Sequence, residues 1–213
     1  MLALTLTALA FLAFSLPPYL SLDPARSRVP PPPGVPGYFA ALVVHVTCGA
    51  VAMATCCLQI WPWLRRRSPA VHRLVGRVYV LAGVVPSALA GIYVACHSPF
   101  GPLTGASSLV LAPLWLTVTT MAVLRARQRR LGAHRRWAIR SFALTMSIVL
   151  NRLLVVPVFV TLYLLFGGDD EARLQQIGAP IVAWSSWIVA LSLAERHLRR
   201  EARSSRPDAR ALD

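Results

Sequence analysis

Lysine is absent from this chain, and so is every carboxylate between Asp23 and Asp169. The missing lysine carries no functional weight, because base composition alone can set the choice between the two long cations. The missing carboxylates exclude more. Paired-carboxylate acid/base catalysis, carboxylate-bridged di-metal centres and Asp/Glu proton relays need side chains that the central segment does not have. Arginines from Arg26 to Arg152 lie in that same interval, so their expected counter-ions are lipid headgroups, a bound anion or the carboxylates of a ligand. Charge of either sign is scarce. Charged residues are 14% of the chain against 56% hydrophobic, and the mean hydropathy is +0.57, which excludes an ordinary soluble domain and identifies a membrane protein. A C-x-x-C pair, a nucleotide-binding glycine loop, a Ser-His-Asp ordering and an H-E-x-x-H zinc motif are absent too.

What is present is arginine and long apolar runs. A net charge of +14 and a pI of 11.4 raise nucleic acid as a partner, but the arginines flank apolar runs and form no separable basic domain, so none is expected. The four cysteines, Cys48, Cys56, Cys57 and Cys96, lie in or beside those runs and read as buried free thiols. Residues 1–22 form an apolar run long enough to cross a hydrocarbon layer of about 30 Å. No basic residue precedes it and no small-x-small cleavage site follows, so a retained helix is expected over a cleaved signal peptide. Residues 23–37 read as a Pro-rich external linker, and 38–166 as a central four-helix membrane domain with spans near 38–60, 74–96, 103–124 and 137–166. An acidic turn from Asp169 to Glu171 leads to a last span at 179–195, and 196–213 reads as a basic tail, disordered beyond Arg203. Arginines concentrate in the 61–73 loop, the 125–136 loop and the tail. The positive-inside rule then predicts six spans in a bacterial inner membrane with both termini cytoplasmic.

Helical periodicity places polar residues on the faces of these spans. His45, Gly49, Ala52, Cys56 and Gln59 share one face, and His72, Gly76, Tyr79, Gly83 and Ala90 another. The small residues predict close helix packing. Depth counting brings His45, Asn151 and Arg152 to similar levels in the outer half, as one polar site, with snorkelling of Arg152 as the alternative. At the cytoplasmic side His72, Arg73, Arg77, His134, Arg135, Arg136, Arg140 and Gln59 gather near one level. Arginines alone there would read as a collar on anionic lipid. Two histidines at matching helix mouths add a second reading, a ligand site, and a third, axial ligation of a b-type haem by His72 and His134.

Read in order, H-x3-G-x2-A-x6-Q from His45 to Gln59, HRLVGRVY from His72 to Tyr79, Trp115, HRRWAIRSFALT from His134 to Thr145, and Arg152 resemble the bacterial multi-pass membrane family of domain of unknown function 2306. The resemblance covers roughly residues 38–158, leaving the first and last spans outside, and Ala138 stands where the family pattern prefers methionine. It implies a membrane location and brings no activity, substrate or cofactor. The expectation is therefore an all-α integral membrane protein of six helices, whose four central helices enclose a polar site. The site would bind an anionic or amphiphilic small ligand, such as a quinone or lipid headgroup, through His45, Gln59, His72, Arg73, Arg77, Trp115, His134, Arg135, Arg140, Asn151 and Arg152. The alternatives are a haem electron carrier and an accessory subunit packed against another membrane protein.

Overall fold

The computed structural model describes residues 1–167 and 170–204. Asp169 of the acidic turn and the tail beyond Ser204 lie outside the described residues. All regular structure among the described residues is helical: α1 (Leu2–Ser15), α2 (Pro17–Leu20), a 3₁₀ turn (Pro24–Arg26), α3 (Tyr38–Gln59), α4 (Pro62–Arg67), α5 (Pro69–Val78), a π-helical turn (Tyr79–Val84), α6 (Val85–Cys96), α7 (Pro102–Arg127), α8 (Leu131–Phe166) and α9 (Glu171–Ser204).

Five stretches are long and apolar enough to cross a membrane: Tyr38–Gln59, Pro69–Cys96, Pro102–Arg127, Leu131–Phe166 and Glu171–Ser204. Their outward faces are strongly apolar. On α8, Leu153, Val156, Leu164 and Leu165 are 65 to 76% exposed, which in water would be an aggregation surface and in lipid is the expected boundary. At 36 residues, α8 is about 54 Å long, well beyond the hydrocarbon thickness, and α9 matches it at 34 residues. The last helix does not stop at Ala194 as the hydropathy suggests, but continues through the arginine-rich segment to Ser204.

Residues 1–22, expected as one span, divide into two helices. Pro17 and Pro18 have no N–H to offer the carbonyls of Ala13 and Phe14, so α1 ends at 14 residues and α2 adds one turn. The pair nonetheless runs the length of α3 in the opposite direction. Trp61 Nε1 donates to Thr5 Oγ1 at 3.3 Å, Ala8 packs with Met53, Cys56 and Cys57, and Tyr19 packs with Tyr38 and Leu42.

The small-residue stripes meet as the sequence predicts. A Cβ on Gly83 would lie 2.8 Å from Ala52 Cα, and one on Gly49 would lie 3.3 Å from Ser87 Oγ, so the backbones of α3 and the third span are in contact. The π turn interrupts that third span just before Pro86. Proline there cannot donate to the Ala82 carbonyl and its ring crowds it, and a widened turn relieves both problems. Of the free thiols, Cys56 and Cys57 are buried, while Cys96 is exposed and Cys48 half-buried.

Candidate functional site

Two turns inside the arginine-rich end, α7, α8 and the π turn build a closed knot of hydroxyls. Tyr79 Oη lies 2.6 Å from Ser141 Oγ and 2.7 Å from Thr145 Oγ1. Trp115 Nε1 reaches Thr145 Oγ1 at 3.1 Å, Thr119 Oγ1 lies 2.7 Å from Ser141 Oγ, and Thr145 Oγ1 donates to the Ser141 carbonyl at 2.9 Å. Proton counting fixes the direction of every bond. The Thr145 hydrogen is committed to the carbonyl, so Thr145 accepts from Trp115 and from Tyr79. Tyr79 then accepts from Ser141, and Ser141 from Thr119. Each hydroxyl hydrogen and the indole N–H are consumed. Trp115, expected as a ligand contact, therefore has no N–H left to give, and the knot locks three spans together as a saturated buried network.

His72 and His134 stand one heptad below this knot. The Tyr79–Ser141 contact pairs residues 62 apart in sequence, and stepping back seven residues on each helix gives His72 and His134, about 10.5 Å nearer the arginine-rich end on the same two faces. The two imidazoles are electrostatic neighbours, with Arg65 and Arg73 alongside. His134 Nδ1 lies 2.9 Å from the Ala122 carbonyl. A carbonyl only accepts, so this nitrogen carries a hydrogen, and Nε2 makes no hydrogen bond among the described residues. His72 Nδ1 is buried and has no hydrogen-bond partner among the described residues.

The other expected site residues are placed differently. Gln59 Nε2 donates to the His72 carbonyl at 2.7 Å and rests on Gly76. His45 Nδ1 lies 2.9 Å from the Ser87 carbonyl, against Gly91, and Ser87 Oγ returns a bond to the His45 carbonyl at 2.9 Å. These two polar residues therefore bolt the ends of the helix zipper centred on Gly83 and Ala52. Arg152 is exposed and has Tyr19 and Arg28 as its ionisable neighbours. No hydrogen bond joins it to His45 or to half-buried Asn151 among the described residues, because His45 turns toward α6.

The collar arginines divide into two sets. Arg140 holds Glu195 through Nε–Oε1 at 2.5 Å and Nη2–Oε2 at 3.0 Å, with its guanidinium 4.9 Å from the Trp137 ring centroid. Arg135 holds Glu201 at 2.5 and 2.7 Å, and His197 lies 3.2 Å from the same carboxylate. Internal counter-ions thus exist for two arginines that the sequence left unpaired. The antiparallel extension of α9 along α8 brings Glu195 and Glu201 to them, although both lie outside the carboxylate-free segment. Arg65, Arg73 and Arg77 remain exposed with no ion pair among the described residues. No group of three or more His, Cys, Asp or Glu with metal-binding geometry occurs among the described residues. A recess of about 350 Å³ lies at the opposite end, lined by Phe159, Tyr163, Glu171 and Leu174, far from the histidines.

Five apolar helices of membrane-crossing length, apolar outward faces and polar contacts turned inward define a multi-pass helical membrane protein. The chain belongs to the family described as predicted membrane protein DUF2306, whose model matches residues 42–197. The match runs beyond the 38–158 legible from motifs and takes in α9 as far as His197, including Glu195 but not Glu201. Comparison with curated proteins and with solved structures gives no match.

Proposed function

We propose that this chain is a six-crossing bacterial inner-membrane protein that binds an anionic or amphiphilic small molecule, such as a quinone or a lipid headgroup, at the cytoplasmic mouth of α5 and α8. The observation that carries this reading is the buried, unpartnered Nδ1 of His72 beside His134, whose ring is already oriented by Ala122. A buried imidazole nitrogen without a partner is uncommon in a finished structure, and an oxygen of a bound ligand would satisfy it. Arg65, Arg73 and Arg77 supply uncommitted positive charge at the same mouth, so a headgroup or quinone oxygen would meet both hydrogen-bond donors and a favourable field. For the sixth crossing, the support is the run of α1 and α2 along the full length of α3. For orientation, the support is the arginine asymmetry of the loops.

A b-type haem held by His72 and His134 is the second reading, favoured by one feature. A ring fixed through Nδ1–H to a carbonyl, with Nε2 free, is how ligating histidines are commonly oriented. One preparation distinguishes the two. Full-length protein purified in mild detergent is examined by absorption spectroscopy and by mass spectrometry of its organic extract. A retained quinone or acidic lipid that disappears in both His72→Ala and His134→Ala, without a Soret band, supports the first reading. A Soret band lost in the same variants replaces it with the second, and a colourless extract identical in all three proteins removes both.

A further inference from the structure

At the other end of the bundle, the break in α1 gathers positive charge. Pro17 and Pro18 leave the Phe14 carbonyl without its helical donor, and Arg28, returning on the linker, donates Nη2 to that oxygen at 2.9 Å. Its guanidinium carbon lies 3.8 Å from the Phe14 ring centroid, which fixes the plane of the group. Arg28 is exposed, and its remaining N–H groups have no acceptor among the described residues. Packing brings Arg152 to the same level. Val149 belongs to the cluster that contains Ala8, with Phe11 and Leu12 against it. Because α1 and α8 run in the same direction, Arg152, three residues further on, comes level with the break.

Two guanidiniums in electrostatic reach of each other repel, and at membrane depth the repulsion is poorly screened. The nearest carboxylate in sequence, Asp23, is spent on the Ala25 N–H and on Arg26 at 3.7 Å. Tyr19, the other ionisable neighbour of Arg152, packs against Tyr38, and Tyr38 is 1% exposed with its hydroxyl buried and unpartnered. Among the described residues neither cation has a carboxylate partner, and two cations so placed call for an anion with several acceptor oxygens.

We infer that Arg28 and Arg152 form a phosphate-binding site at the break of α1, separate from the histidine mouth. Each guanidinium takes one non-bridging oxygen, and the tyrosines stand behind. The occupant is a phosphodiester of a lipid headgroup or a free phosphate.

Thermal unfolding of the full-length protein in neutral detergent tests this, with phosphatidylglycerol, diacylglycerol of the same chain length, or inorganic phosphate at matched ionic strength. Phosphatidylglycerol should raise the melting temperature and diacylglycerol should not. Arg152→Leu should weaken the half-saturating phosphatidylglycerol concentration about tenfold or more, as loss of a charge-assisted partner implies, while Arg152→Lys keeps part of the response. If inorganic phosphate reproduces the shift, the occupant is the free anion. Equal shifts in wild type and Arg152→Leu, or equal shifts from phosphatidylglycerol and diacylglycerol, overturn the site. Should Arg152→Leu fail to fold, Arg152→Gln gives the same comparison, read also as loss of a retained phospholipid in native mass spectrometry.

Discussion

Arg140 and Glu195, 55 residues apart in sequence, meet as a bidentate pair, Nε to Oε1 at 2.5 Å and Nη2 to Oε2 at 3.0 Å. Their side chains are 22 and 34% exposed, so the pair is neither fully solvated nor fully desolvated, and its worth lies between those limits. Glu195→Ala should cost about 1–2 kcal/mol in reversible unfolding, discounted for partial solvent screening. A double-mutant cycle with Arg140→Ala checks it: a coupling near zero would mean that α9 is held by apolar packing alone. The Arg135–Glu201 pair is more exposed and should respond more strongly to added salt.

Gly83 should accept no side chain. A Cβ there would lie 2.8 Å from Ala52 Cα and 2.9 Å from Ala52 N, and backbone cannot move aside as a flexible side chain can. Gly83→Ala should destabilise by about 1–3 kcal/mol through overpacking. Gly132→Ala, whose nearest neighbour is the end of Arg136 at 4.0 Å, is the control and should leave the melting temperature unchanged or slightly raised.

Tyr79→Phe removes one hydroxyl and strands one partner, because Ser141 loses its acceptor, while Thr145 loses a donor but keeps Trp115 and the Ser141 carbonyl. The expected loss is about 1–3 kcal/mol. Since the bonds form one directed chain, Tyr79→Phe combined with Ser141→Ala should cost clearly less than the two single losses added together. Additivity would show that the hydroxyls act independently.

Reporter fusions after Ser68 and Arg130 should report the cytoplasm, and fusions after Gly101 and Gly167 the opposite side. These positions lie in the connections between successive membrane-length helices, so a reversal at any one of them would break the six-crossing orientation while leaving the helices themselves intact.

Helix identity and packing faces were legible because apolar runs and small-residue spacing are local properties of the chain. Gly83 against Ala52 follows from two stripes visible in the sequence. Partner choice was not legible. His45 and Arg152 agree in depth, but depth leaves the angle around the bundle undetermined, and that angle directs His45 to Ser87 on α6. Gln59 looked like a ligand group, yet a buried amide takes the nearest backbone carbonyl, here that of His72. The counter-ions of Arg135 and Arg140 were not legible, because hydropathy ends the last span at Ala194 while the helix continues to Ser204 and carries Glu195 and Glu201 to arginines more than fifty residues away in sequence.

The excess length of α8 and α9 has a practical side. At about 54 Å, α8 exceeds a hydrocarbon layer of about 30 Å, and at the arginine-rich end α7 keeps pace with it, since His134 near the start of α8 meets Ala122 near the end of α7. To an electron microscope, a 23.2 kDa membrane protein in detergent is almost entirely micelle, with little density to distinguish up from down. The α8 and α9 helices are tied together at two levels of that end by carboxylate–guanidinium pairs, making the arginine-rich end the place to attach a rigid fusion or raise a binding fragment for imaging.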